Sequence, residues 1–88
     1  MEGVIITDAD QSIVAVNKSV SRVTGYSEDE LIGATPRLLS SGRHTAEFYR
    51  EMWRTLHERG HWKGEIWNRR KNGEIYPELL SLSAIHDE

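Results

Sequence analysis

Cysteine is absent from the 88 residues. Disulfides, thiolate metal sites and cysteine nucleophiles are therefore excluded. No apolar run exceeds a few residues, far short of the roughly 20 that a membrane-crossing helix needs. Basic excess is missing as well: 11 Lys and Arg stand against 14 Asp and Glu, which argues against nucleic acid as the main partner. Met1 is followed by Glu2, with no basic stretch and no apolar core of a signal peptide. These absences predict a soluble, cytoplasmic module without membrane contact. Catalytic patterns are also lacking. There is no G-x-S-x-G elbow, and the glycines form no phosphate-binding loop. The acid-rich Glu28-Asp29-Glu30 is explained by helix capping, so the expectation is a non-catalytic domain. A chain of this size buries only about two thirds of its unfolded surface, so its core is thin and partner contacts matter.

What is present is a regular alternation of short signals. Val4-Ile5-Ile6 and Ile13-Val14-Ala15-Val16 read as two strands around a turn at Ala9-Asp10-Gln11. Asn17 is placed as a helix N-cap, Val20 and Val23 share one face, and Gly25 suits the C-terminal stop. Ser27 and Glu30 match a capping box, ahead of Leu31, Ile32 and Gly33. Thr35-Pro36 starts another helical turn. Residues 45–59 form the one long helix, with Thr45 as cap, Glu47 and Arg59 suiting its two ends, and Gly60 as stop. Phe48, Tyr49, Met52, Trp53 and Leu56 recur on it at helical spacing. The most informative stretch runs from Trp62 to Ile85. It reads as a long hairpin turning at Lys71-Asn72-Gly73. The whole is an α+β arrangement, a sheet covered on one face by helices.

The ordered set Thr7-Asp8-Ala9-Asp10, Val16-Asn17, Thr24-Gly25-Tyr26-Ser27, Glu30-Leu31-Ile32-Gly33 and Asn68-Arg69-Arg70-Lys71-Asn72-Gly73-Glu74 resembles the PAS domain family of sensory modules. The segment Thr35 to Gly42, followed by Phe48-Tyr49 and Trp53, is similar to PAS modules of bacterial multidomain signalling proteins. The resemblance implies an antiparallel sheet of order 2-1-5-4-3 with helices on one face. Only four strands are countable, so residues 1–88 are expected to be a single PAS domain that stops at Ile85-His86-Asp87-Glu88, before its last strand. The opening hairpin would then lack its mid-sheet neighbour unless a longer chain or a partner supplied it. Gln11 stands where the family has Gly or Asn, and a positive φ there costs about 1 kcal/mol.

The resemblance also implies a pocket between the sheet and the long helix, with Asn68, Glu78, Trp53 and Leu80 as candidate lining. In flavin-binding relatives, polar side chains near the end of the third strand and on the fourth contact the ring edge. Asn68 matches the first, and Glu78 takes the second, where light-sensing relatives have Asn. The lack of cysteine excludes a flavin–thiol bond. A two-residue turn would set Asn68 opposite Pro77. A three-residue loop with Gly73 in the left-handed region sets it opposite Glu78, and the family pattern implies this second register. Tyr76, Glu78, Leu80, Leu82 and Ala84 then face the helices, leaving Trp67, Ile75 and Leu79 on the outer face. The plainer expectation is that Asn68 and Glu78 bond each other or nearby backbone, and that the pocket is empty or only weakly and promiscuously occupied, with no cofactor. Flavin is the alternative. Haem is disfavoured, because His57 lies near the end of the long helix and off its apolar stripe. No bare metal site is expected, since Gly60 separates His57 from His61. Function follows as an expectation: a sensor that passes the state of a small-molecule ligand or partner to a covalently linked output domain, through rearrangement of a homodimer joined at the outer sheet face. The output would be a diguanylate cyclase, a cyclic-di-GMP phosphodiesterase or a histidine kinase. The alternatives are a constitutive interaction domain without ligand and a flavin-based redox sensor.

Overall fold

A computed structural model describes residues 2–85. The expected abrupt end at His86-Asp87-Glu88 lies outside the described residues. The strands β1 (Gly3–Thr7) and β2 (Ile13–Val16) form the opening hairpin, with Ile5 opposite Val16. Asp8 closes its turn, its Oδ1 accepting the N–H groups of Asp10 and Ser12 at 2.9 Å each. Gln11 there has φ +66°, the strained conformation anticipated for that position.

Asn17 serves two elements at once. It caps α1 (Lys18–Thr24) through the Val20 N–H, and it also accepts the Val4 N–H (3.1 Å) and donates to the Glu2 carbonyl (3.0 Å). Helix α1 is thereby fixed to β1. The capping box at Ser27 and Glu30 is complete and starts α2 (Glu28–Leu31). Thr35 caps a 3₁₀ turn, Pro36–Leu39. Helix α3 (Ala46–Arg59) opens on Thr45, which accepts the Phe48 N–H, and closes on Gly60 at φ +83°. Its buried stripe, Met52 and Leu56, meets Ile5, Ile66, Leu80 and Leu82 in one core.

The hairpin of β3 (His61–Arg69) and β4 (Ile75–Ala84) has a three-residue loop with Gly73 at φ +94°, the loop length that the resemblance implies. Its register corrects the expectation. Asn68 pairs with Tyr76, and Glu78 pairs with Ile66. The loop is closed by the Arg70 N–H donating to the Glu74 carbonyl (2.8 Å), and that fixes the ladder two residues from the assumed position. A two-residue shift leaves every side chain on its face. Tyr76, Glu78, Leu80 and Leu82 are accordingly buried. The same alternation explains Pro77. Opposite Trp67 it occupies a non-hydrogen-bonded site of the β3–β4 ladder, so its missing N–H costs that ladder nothing.

The sheet order is β2-β1-β4-β3. This is the implied order with the fifth strand absent from the described residues. The sheet is mixed rather than wholly antiparallel, because β1 pairs with β4 in parallel, Gly3 opposite Leu80 through Thr7 opposite Ala84. The opening hairpin therefore does have a neighbour, which corrects the expected gap in mid-sheet. Gly3 permits the close approach. A Cβ there would lie 2.9 Å from Glu78 Oε2 and 3.2 Å from Val20 Cγ2.

Candidate functional site

Between α3, the 3₁₀ turn and the inner face of β3–β4 lies a cavity of about 460 Å³. Its floor is apolar, formed by Leu39, Met52, Trp53, Ile66, Leu80 and Leu82. One wall is Ala46, Tyr49, Arg50 and Trp53, the i, i+3, i+4, i+7 face of α3. The opposite wall is Arg37 and Ser40. Among the described residues, the only charged ones in the lining are Arg37 and Arg50, in a chain whose net charge is −3.

Asn68 is the buried polar group of this cavity, 3 % exposed. Its Nδ2 donates to Glu78 Oε1 at 2.8 Å. The Tyr76 hydroxyl donates to the same oxygen at 3.3 Å. Glu78, 8 % exposed, does not line the cavity. It lies beyond Asn68 and lines a separate hollow with Val23, Arg70 and Tyr76. A buried carboxylate needs such donors. Burial, reinforced by the charge of Glu78 and the bond to it, holds the Tyr76 hydroxyl well above its ordinary pKa. The Arg70 guanidinium sits 4.1 Å over the Tyr76 ring. Asn68 keeps its carbonyl oxygen and second amide hydrogen for anything that enters.

Of the residues the sequence singled out, Asn68, Trp53 and Leu80 meet at the cavity, and Glu78 reaches it only through Asn68. His57 lines a smaller cavity of about 100 Å³ with Thr7, Asp8 and Gln11, on the far side of Trp53. The buried Thr7 hydroxyl has no hydrogen-bond partner among the described residues. No cluster of three or more His, Asp or Glu that could hold a metal ion occurs among the described residues. Arg37, Arg50, Ser40 and Tyr49 were missed. The helical spacing of residues 46, 49, 50 and 53 was the available signal for half of them.

A wall segment, 40–45, joins the 3₁₀ turn to α3. Ser40 forms a single antiparallel bridge with Asn68. Arg69 donates to the Ser41 carbonyl at 3.1 Å, and the Arg43 guanidinium lies 4.0 Å over the Trp67 ring. His44 Nε2 accepts the Trp67 N–H at 2.9 Å, while its ring stacks on Phe48 with centroids 4.0 Å apart.

The PAS domain family model matches residues 1–88. The chain belongs to the PAS domain family. This PAS domain is 41 % identical over 80 residues to a nitrogen fixation regulatory protein of Klebsiella oxytoca, covering 91 % of the chain and 16 % of that protein. It is 30 % identical to a blue-light photoreceptor of Listeria innocua, covering 98 % of the chain and 35 % of the relative. A Rhodobacter sphaeroides LOV protein superposes with a TM-score of 0.73 at 26 % identity, covering 91 % of this chain and 46 % of the other. The chain thus spans about a sixth of the nitrogen-fixation regulator. PAS domains are sensory modules of larger signalling proteins, linked to output domains. No helix among the described residues is long and apolar enough to cross a membrane.

Proposed function

We propose that this PAS domain senses a small ligand with a flat apolar body and an anionic tail, held in the cavity between α3 and the β3–β4 hairpin. One observation carries the reading: an apolar floor, one buried polar end at Asn68, and Arg37 and Arg50 as the only charges in the lining among the described residues. Its volume falls within the range of small-molecule sites. This supports an occupied pocket over the expectation of one without cofactor. Flavin mononucleotide is the first ligand to test, because its ring matches the floor and its phosphate matches two arginines. When bound, flavin supplies redox chemistry and visible absorption. The chain's own part is to place the ring edge at Asn68, whose amide is braced by Glu78, and to exclude water through Leu39, Met52 and Ile66. With no thiol present, the signal would be redox state rather than a ring–sulfur bond.

Transmission runs through the sheet to the linked output domain, in the cytoplasm, with no chemistry performed by this domain. A diguanylate cyclase, phosphodiesterase or histidine kinase fits that role. The outer sheet face supports a second copy as partner, since Ile75 and Leu79 are 39 % and 45 % exposed there and such patches mark interfaces.

Titrating the protein with flavin mononucleotide, followed by quenching of flavin fluorescence, tests the reading. Saturable binding is expected, weakened about tenfold or more in the R37A/R50A double variant through loss of charge-assisted bonds. Absence of saturable binding, or equal binding by the double variant, would refute it. A protein that is dimeric by light scattering but binds no flavin would leave the interaction-domain reading standing instead.

A further inference from the structure

We propose that His44 is a proton-operated latch on the wall of the cavity. The argument starts from the edge of β3. Trp67 occupies a non-hydrogen-bonded site of the β3–β4 ladder, so its N–H points away from β4. An edge donor of this kind needs an acceptor, and His44 Nε2 supplies it at 2.9 Å. An imidazole nitrogen accepts only while it is unprotonated, so His44 is neutral here with its proton on Nδ1. Protonation would turn Nε2 into a donor facing a donor, and the contact cannot persist.

The consequence reaches the cavity because the latch sits on its wall. Ser40 and Ala46, at either side of His44, both line the cavity. The segment is held by few contacts: the Ser40–Asn68 bridge, the Ser40 and Tyr49 hydroxyls 3.4 Å apart, Arg69 on the Ser41 carbonyl, Arg43 on the Trp67 ring, and His44 itself. His44 ties the middle of the segment to both faces of the cavity, to β3 through the Trp67 N–H and to α3 through Phe48 and Tyr49, as Ser40 does at its start through the Asn68 bridge and the Tyr49 hydroxyl. Released there, the segment keeps its hold on β3 through Ser40, Ser41 and Arg43 but loses the one that lies next to the Thr45 cap.

The charged groups around the imidazole are few. Arg43 comes from the segment and Arg69 from β3. On the elements that pack against it, α3 carries Glu47, Tyr49, Arg50 and Glu51 in its first turns, and β3 carries His61, Lys63 and Glu65 ahead of Trp67. Among the described residues no carboxylate forms an ion pair with His44. Stacking on Phe48 survives protonation. The lost acceptor does not, and it decides the outcome.

The decisive measurement is amide hydrogen exchange at Trp67 in the protein without ligand, expressed as a protection factor at pH 8 and at pH 5, the interval in which histidine side chains change charge. Imidazole nitrogen shifts at pH 8 should place the His44 proton on Nδ1. Protection at Trp67 should fall about two- to tenfold on acidification, the weight of one hydrogen bond, while Ile66, bonded within the hairpin, should not change. In H44Q the amide oxygen replaces Nε2 and cannot titrate, so protection should stay high at both pH values. In H44A it should be low at both. Unchanged protection in the wild type, or the same acid response in H44Q, would overturn the proposal; the second result would assign the effect to Glu47 or Glu65. Faster ligand exchange at acid pH rests on the ligand-binding reading above. The exchange readout needs no ligand, so failure of the latch is distinct from failure of flavin binding.

Discussion

The tip of the β3–β4 hairpin and the wall of the cavity are fastened to the body of the domain in opposite ways. At the tip, Arg70 donates to the Val23 carbonyl at the end of α1, pairs with Glu74 and covers Tyr76. Lys71 adds its backbone N–H to the Thr24 carbonyl (2.8 Å) and its ammonium to Glu30 (2.7 Å). These contacts are redundant, and they place cations at a helix C-terminus. At the wall the contacts are single, and one depends on a neutral imidazole. The difference teaches which part of the sheet is frame and which part is free to respond.

The largest effect expected should break the frame. Replacing Arg70 by Met leaves the Val23 carbonyl and the Tyr76 face without their partner, and should cost about 1–3 kcal/mol in denaturant unfolding. A loss no larger than that of H44A would erase the contrast between tip and wall.

A second variant separates the two regions by pH. Tyr76 keeps its proton longer in the folded state than in the unfolded chain, whose ordinary value is 10.0. The stability tied to that proton is complete below pH 10 and falls as the pH rises beyond it, by at most about 1.4 kcal/mol per pH unit for one proton. In Y76F this share of the alkaline loss should vanish, leaving a shallower decline above pH 10. Identical alkaline slopes for both proteins would show that the buried hydroxyl is not the group responsible. A shallower slope in Y76F would instead make the tip answer to alkali where the wall answers to acid.

The smallest effect serves as a control outside both regions. Gln11→Gly relieves a positive φ and should stabilise the protein by up to about 1 kcal/mol, without altering Trp67 protection or flavin affinity. A change in either would mean that the β1–β2 turn communicates with the cavity.

Much of the frame was legible because its signals are local. Asn17, Ser27, Thr35 and Thr45 each cap the helical turn that follows, and a cap is decided by residues two or three apart. Gly73 marked the loop for the same reason. The hairpin register was not legible at that level. A slip of two residues preserves the alternation of buried and exposed side chains, so the apolar pattern cannot detect it. The pairing of Asn68 with Glu78 through their side chains was anticipated, although the ladder places the two residues on a diagonal rather than opposite each other. The wall escaped altogether. His44 meets a backbone N–H 23 residues away, and a bond to the main chain leaves no trace in the side-chain pattern of its partner. Arg37 and Arg50 also resemble ordinary solvated charge until the fold sets them on one opening.

The parallel seam between β1 and β4 bears on how the chain reaches its native state. Each hairpin can zip from its own turn, whereas setting Gly3 beside Leu80 requires the two ends of nearly the whole polypeptide to meet. Such closure is entropically slow, and its gain arrives only after the nearer contacts exist. Assembly should therefore proceed with the two ribbons first and their docking last, and the seam between them should be the earliest place to come undone.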